Sequence, residues 1–133
     1  MTSERSLLRY HLPPVVWATA IFIESSIAGK HFPSTPLGSD KLVHIVIFGI
    51  LCWLLSRSFG RVDAALINRM RLFLSVVVTV VYGFSDEFHQ LYVQGRSADM
   101  YDLAADAAGA LLFVLLAKIF FNNPVHPRDD TKS

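Results

Sequence analysis

Seven of the eleven acidic side chains in this 133-residue chain stand at ends of apolar segments that would meet on one side of a membrane. They are Glu24, Asp40, Asp86, Glu87, Asp99, Asp102 and Asp106, accompanied by Lys41, His44, His89, Gln90 and Arg96. A carboxylate in hydrocarbon costs about 2.5–3.5 kcal/mol on insertion scales, so such residues are rare there unless paired or functional. Acids beside a histidine can pass protons, and lysine and arginine can grip anionic groups. Their gathering at one end of a small bundle is the chain's strongest functional signal.

Asp99, Asp102, Asp106 and Gly109 follow an i, i+3, i+7, i+10 spacing, which is one helical face. Ser97 can cap that helix, leaving Asp99 in the first turn, where the helix dipole favours an anion. Asp106 lies about two turns further in, beyond any such end effect. Ala104, Ala105, Ala108 and Gly109 are expected to form a small-residue surface of the kind that lets membrane helices approach closely. In the preceding segment Glu87 and Gln90 share a face, as do Ser85 and His89, and Tyr82 and Asp86. Adjacent acids point different ways, so Asp86 and Glu87 are expected to serve different neighbours, one of them Arg96 and the other Lys41. Asp40 reads as a helix cap, with Lys41 and His44 neighbours at i, i+3. Glu24, Ser25 and Ser26 supply the polar end of the first segment.

Carboxylates and histidines at helical spacing suit a hard or borderline divalent ion. Against that, the chain has no HExxH, no Cys/His pattern and no acidic glycine-containing loop of the calcium-binding type. The Asp99/Asp102/Asp106 face is similar to aspartate arrays that hold magnesium for phosphoryl transfer, but the wider motif of those lipid enzymes is missing. No cofactor is required by the sequence, and a divalent metal stays open. No nucleophile elbow, P-loop or Ser/His/Asp order is present.

The elements that position these residues are apolar. Hydrophobic residues make up 53% of the chain, too many for a soluble domain of this charge content. Candidate spans are 12–28, 42–55, 72–91 and 103–121; a span takes about 20 residues. The expected fold is all-α: a small polytopic membrane bundle of about four transmembrane helices, occupying 1–123, with a disordered cytoplasmic tail over 124–133. Basic residues set sidedness. Arg5, Arg9, Arg57, Arg61, Arg69, Arg71, Lys118, Arg128 and Lys132 fall on one side, against Lys30, Lys41 and Arg96 on the other. Both termini are therefore predicted to be cytoplasmic and the acidic cluster to face outward. An alternative for the first segment is a signal peptide cleaved after Ala28, since Arg5 and Arg9 precede its apolar run.

The connection from Gly29 to Asp40 reads as an irregular loop, Val93–Ser97 as a tight turn, and 56–71 as a cytoplasmic loop with a short interfacial helix. Cys52 lies in an apolar run and reads as a small core residue. A net charge of +1, with no basic run interleaved with aromatics, argues against nucleic acid as a partner.

Three motif blocks give the chain a family resemblance. Asp40-Lys41-x-x-His44 opens one span. Tyr82-Gly83-x-Ser85-Asp86-Glu87-x-His89-Gln90 closes the next. Gln94-Gly95-Arg96-Ser97 then leads to Asp102-x-x-x-Asp106-x-x-Gly109-Ala110. Over roughly residues 15–120 this pattern closely resembles the VanZ-like family. The resemblance implies a small bacterial inner-membrane protein of about four helices and, for some members, a link to teicoplanin resistance. It carries over Asp40, Lys41, His44, Glu87, Gln90, Arg96 and Asp102, with Gly109 for packing. Gln94 stands where the family often has proline, and Asp106 where asparagine is common.

Three functions follow. The cluster binds or modifies a cell-envelope component, such as a lipid, a peptidoglycan precursor or a glycopeptide. It is instead the site of a membrane-embedded enzyme acting on a phospholipid or polyprenyl phosphate, with Glu87 or His44 as base. Or it is a salt-bridge network that locks the helices, and function lies in partner contacts.

Overall fold

The structure, a computed structural model, describes residues 3–27 and 39–121. The irregular loop expected between Gly29 and Asp40, the possible cleavage after Ala28 and the C-terminal tail fall almost wholly outside these residues. Among the described residues every regular element is helical: α1 (Ser3–Ser6), a π-helical turn (Leu7–His11), α2 (Leu12–Ser25), α3 (Ser39–Phe59), α4 (Ala65–Arg69), α5 (Arg71–Gln90) and α6 (Met100–Phe121).

The π-helical turn has a local cause. Pro13 and Pro14 fill the first turn of α2 and lack the N–H groups that would bond back into the preceding turn. The ladder widens there, and the Leu12 N–H reaches the Leu7 carbonyl instead. Helices α3, α5 and α6 run 21, 20 and 22 residues and are long and apolar enough to cross a membrane. Three of the four expected spans are thus present in full. The first is represented by α2, whose 14 residues reach only about 21 Å at 1.5 Å per residue.

Helix α3 is the centre of the bundle and makes its longest seam with α6 and the next with α5, while α2 packs more thinly against α3 and α5. Phe48, Leu51 and Ile21 form the core cluster, flanked by Trp17, Ala18, Ile47, Leu55 and Tyr82. Cys52 is fully buried beside them, as its apolar setting implies. Two cross-helix bonds seat α2: Trp17 Nε1 donates to the Ile47 carbonyl at 3.0 Å, and Tyr82 Oη to the Ala18 carbonyl at 2.5 Å.

The α3–α6 seam depends on bare backbone. A Cβ at Gly109 would collide with the Ile45 carbonyl, and one at Gly49 would lie 3.3 Å from the Gly109 oxygen. The small-residue surface is the expected one only in part. Ala105, Gly109 and Ala110 are buried on either side of Asp106, whereas Ala104 and Ala108 are exposed. Positions 105, 106, 109 and 110 share the face turned to α3, and 104 and 108 fall beside it. The short helix of the 56–71 loop is present as α4, but begins at Ala65 and leaves Val62 in the preceding turn.

Alanine normally favours a helix over glycine by about 1 kcal/mol. Gly109→Ala is expected to do the opposite, lowering stability by about 1–3 kcal/mol through overpacking against Ile45. Ala108→Leu, one residue away and exposed, should stay within about 0.5 kcal/mol. Thermal unfolding of the purified protein in detergent reads both. A stabilising Gly109→Ala would contradict the close seam.

Candidate functional site

The C-terminal ends of α2 and α5 and the N-terminal ends of α3 and α6 meet at one end of the bundle. Chain geometry places the first residues there. Between α5 and α6 the Arg96 N–H bonds the Val93 carbonyl at 3.1 Å, and Gly95 at φ 76° supplies the left-handed position this tight turn needs. The turn swings Arg96 back onto α2. Its Nη2 meets Glu24 Oε1 at 2.9 Å and the Glu24 carbonyl at 3.3 Å, and its Nε donates to the Ile27 carbonyl at 3.2 Å. A guanidinium on the last carbonyls of a helix satisfies acceptors that have no partner within the helix and complements the dipole. His89 lies on the same rim, 3.0 Å from Ser26 Oγ and with its ring 4.7 Å from that of Phe22.

Deeper between α3 and α6, Lys41 gathers three carboxylates: Asp40 at 3.0 Å, Asp99 at 2.7 Å, and Asp102 in close contact. His44, one turn on, places Nδ1 2.7 Å from Asp106 Oδ1, with Nε2 3.8 Å from Asp102 Oδ2. Lys41, Asp102, His44 and Asp106 thus form a continuous polar seam directly above the Gly109 contact. The Asp99 carboxylate is held below the ordinary aspartate range, first by its hydrogen bond from Lys41 and then by the Tyr101 N–H.

Helix α5 brings two acids that point apart, as expected. Asp86 accepts from Gln90 at 3.2 Å. Glu87 Oε2 accepts the Asp99 N–H at 2.8 Å, tying the end of α5 to the start of α6. Glu87 is 6% exposed and Asp106 not at all. One oxygen of each, Glu87 Oε1 and Asp106 Oδ2, is buried with no hydrogen-bond partner. His44, Glu87 and Asp106 each offer an atom within 4.8 Å of the others.

Three expectations need correction. Asp86 and Glu87 ion-pair with neither Arg96 nor Lys41. The tight turn spends Arg96 on Glu24, and Lys41, at the start of α3, faces α6. The side chain that bonds the first turn of α6 is Asp99, whose Oδ1 accepts from Tyr101 N at 2.8 Å, not Ser97, because the helix begins at Met100. Asp40 lies within the first turn of α3, which begins at Ser39, and does not cap it. His89 stands at the rim, apart from the buried groups.

Beside this seam a cavity of about 530 Å³ opens between α2, α3 and α5. Trp17, Ala20, Ile21, Val43, Ile47 and Phe48 form its apolar walls, and Glu24, Asp40, His44, Asp86 and Arg96 its polar end. Nothing in the spacing of its neighbours marks Trp17 as a cavity residue. Gly83 was also missed as a site residue: a Cβ there would stand 2.6 Å from Asp106 Oδ2, so α5 makes room for that carboxylate. Its position one turn before Glu87, on the same face, was the available signal.

The sequence model of the VanZ/LLP1 family matches residues 2–121. No curated protein and no solved structure matches the chain.

The Lys41 contact has a pH signature. Because Asp99 titrates below its ordinary value, its contribution to stability is complete above about pH 4 and is lost as pH falls through the lower folded value. The stability difference between wild type and Asp99→Asn, from thermal unfolding, should therefore be constant near neutrality and shrink below about pH 4. A difference that does not shrink on acidification would contradict the contact.

Proposed function

The chain belongs to the VanZ/LLP1 family, and from that premise we propose that it is a multi-pass protein of the bacterial inner membrane that binds an amphipathic cell-envelope molecule on its outer side. In this reading α1, the π-helical turn and α2 together make a fourth span, both termini are cytoplasmic, and the polar cluster faces outward. The charge distribution supports the orientation. At the bundle end opposite the cluster, Arg9, Arg57 and Arg61 stand 5.6, 5.4 and 4.5 Å from the centre of the Tyr10 ring. Such a basic end fits the cytoplasmic leaflet.

One observation carries the binding role: the cavity between α2, α3 and α5 pairs apolar walls with a charged end. A hydrocarbon chain fits along Trp17, Ile21, Ile47 and Phe48, with its head at Glu24, Asp86 and His44. Pockets of this kind bind by apolar burial and take specificity from a few polar groups. Lys41 is already saturated by three carboxylates. Arg96, at the same end, is paired with Glu24, which leaves Asp86 as the cavity acid outside these ion pairs and favours an amine-bearing head group, as in an aminolipid, a lipid-linked peptidoglycan precursor or a glycopeptide. The teicoplanin link that the family resemblance implies fits capture of such a molecule. His44 also lines the cavity, with Asp106 behind it at 2.7 Å. A histidine oriented by a carboxylate can act as a general base, which favours chemistry on the bound molecule as a second reading.

Ile47→Trp fills the cavity, while Val46→Trp adds the same ring on an exposed face. Binding of aminophospholipid or lipid-linked precursor, read by native mass spectrometry, is expected to weaken at least about tenfold, or about 1.4 kcal/mol, in Ile47→Trp only. Protection of a Gram-positive host against teicoplanin should fall in parallel at unchanged membrane level. If both variants behave alike, the cavity is not the binding site.

A further inference from the structure

Behind the cavity, α3, α5 and α6 bring His44, Glu87 and Asp106 to one point inside the bundle, each with an atom within 4.8 Å of the others. The protein positions one oxygen of each carboxylate and leaves the second bare. Asp106 Oδ1 is held by His44 at 2.7 Å, and Glu87 Oε2 by the Asp99 amide at 2.8 Å. Asp106 Oδ2 and Glu87 Oε1 are buried and accept nothing. A buried acceptor left without a donor costs about 1–3 kcal/mol, and more when it carries charge.

Among the described residues no side chain meets these two oxygens. Lys41 is committed to Asp40, Asp99 and Asp102, and Arg96 to Glu24. At the point where α5 faces Asp106 Oδ2 it offers Gly83, which has no side chain to donate from. Two carboxylates and one imidazole converge here, with two buried oxygens aimed into the cluster.

We propose that His44, Glu87 and Asp106 bind one divalent transition-metal ion. Charge supports it, since two carboxylates with a neutral imidazole balance a dication. The donor set decides the class. One nitrogen with two carboxylates suits borderline ions such as Zn²⁺, Mn²⁺ or Co²⁺, whereas Ca²⁺ takes six to eight oxygens and Mg²⁺ keeps an octahedral shell with several waters. Three protein ligands leave a coordination position for water or for an oxygen of a bound molecule. His44 is shared with the cavity, so the ion would stand at the cavity's inner edge. That placement deepens the binding role proposed above and rests on it, whereas the ion site itself does not.

The test uses the full chain purified in detergent without chelator. Elemental analysis is expected to find roughly one transition-metal ion per chain. Chelator-stripped protein titrated with Co²⁺ should develop a visible absorption band and gain thermal stability. Glu87→Gln and Asp106→Asn should each weaken Co²⁺ affinity at least about tenfold. Glu4→Gln, at the far end of the bundle, and Ile47→Trp, which blocks the cavity, should retain it. Retention in Ile47→Trp would separate failure of the ion site from failure of the cavity reading. If the two ligand variants do not fold, the wild-type titration still decides. Wild-type protein without stoichiometric metal, and without band or stabilisation on adding Co²⁺, overturns the proposal, as does undiminished affinity in folded Glu87→Gln and Asp106→Asn.

Discussion

A carboxylate buried inside a membrane bundle must be met by another polar group, and Asp106, fully buried in α6, is met by His44 of α3. That contact dictates much of what surrounds it. The two backbones must come close enough for a short side chain to reach across, so Gly109 lies bare against Ile45 of α3, with Ala105 and Ala110 buried near it on α6. On the other flank Gly83 keeps α5 out of the carboxylate's way. Removing one partner of a buried pair costs about 3–5 kcal/mol, because the survivor stays buried and alone. Packing and polarity here are one constraint.

Toward the rim the same seam continues in weaker form. Lys41 with its three carboxylates is partly exposed, and so is the Arg96–Glu24 pair. Exposed ion pairs contribute little each, about 0–1 kcal/mol, so the rim pairs orient more than they stabilise. Arg96 shows this: it closes the end of α2 and so sets where the cavity wall stands. Helix α2, the most thinly packed of the long elements, forms that wall. Of the elements around the cavity, it is the one whose displacement would open it with the least disruption of the α3–α5–α6 core.

Much of this was legible in the sequence, for physical reasons. Runs of apolar residues as long as a bilayer is thick located α3, α5 and α6 to within a few residues. Residues at i, i+3 and i+7 share a face in any helix, so Asp102, Asp106 and Gly109 were correctly set on one side of α6. Periodicity says which residues share a face, not which neighbour that face meets. The partners of Arg96 and Lys41 were misassigned for that reason, and Ala104 and Ala108 were placed with Ala105 and Gly109 on a packed face although they are exposed. The first segment was read to Ala28, whereas α2 ends at Ser25, where Arg96 takes the Glu24 and Ile27 carbonyls, a tertiary contact that hydropathy does not register. Gly83 and Trp17 were not singled out because their importance lies in what stands opposite them.

His44 and Asp106 couple α3 to α6, and a double-mutant cycle measures that coupling most directly. His44→Ala, Asp106→Ala and the double variant would be compared with wild type by equilibrium unfolding in detergent. If the two side chains share a buried bond, the double variant loses clearly less than the sum of the single losses, with a coupling of about 1–3 kcal/mol. Additivity within about 0.5 kcal/mol would mean that they do not touch, and the convergent site would be lost with them.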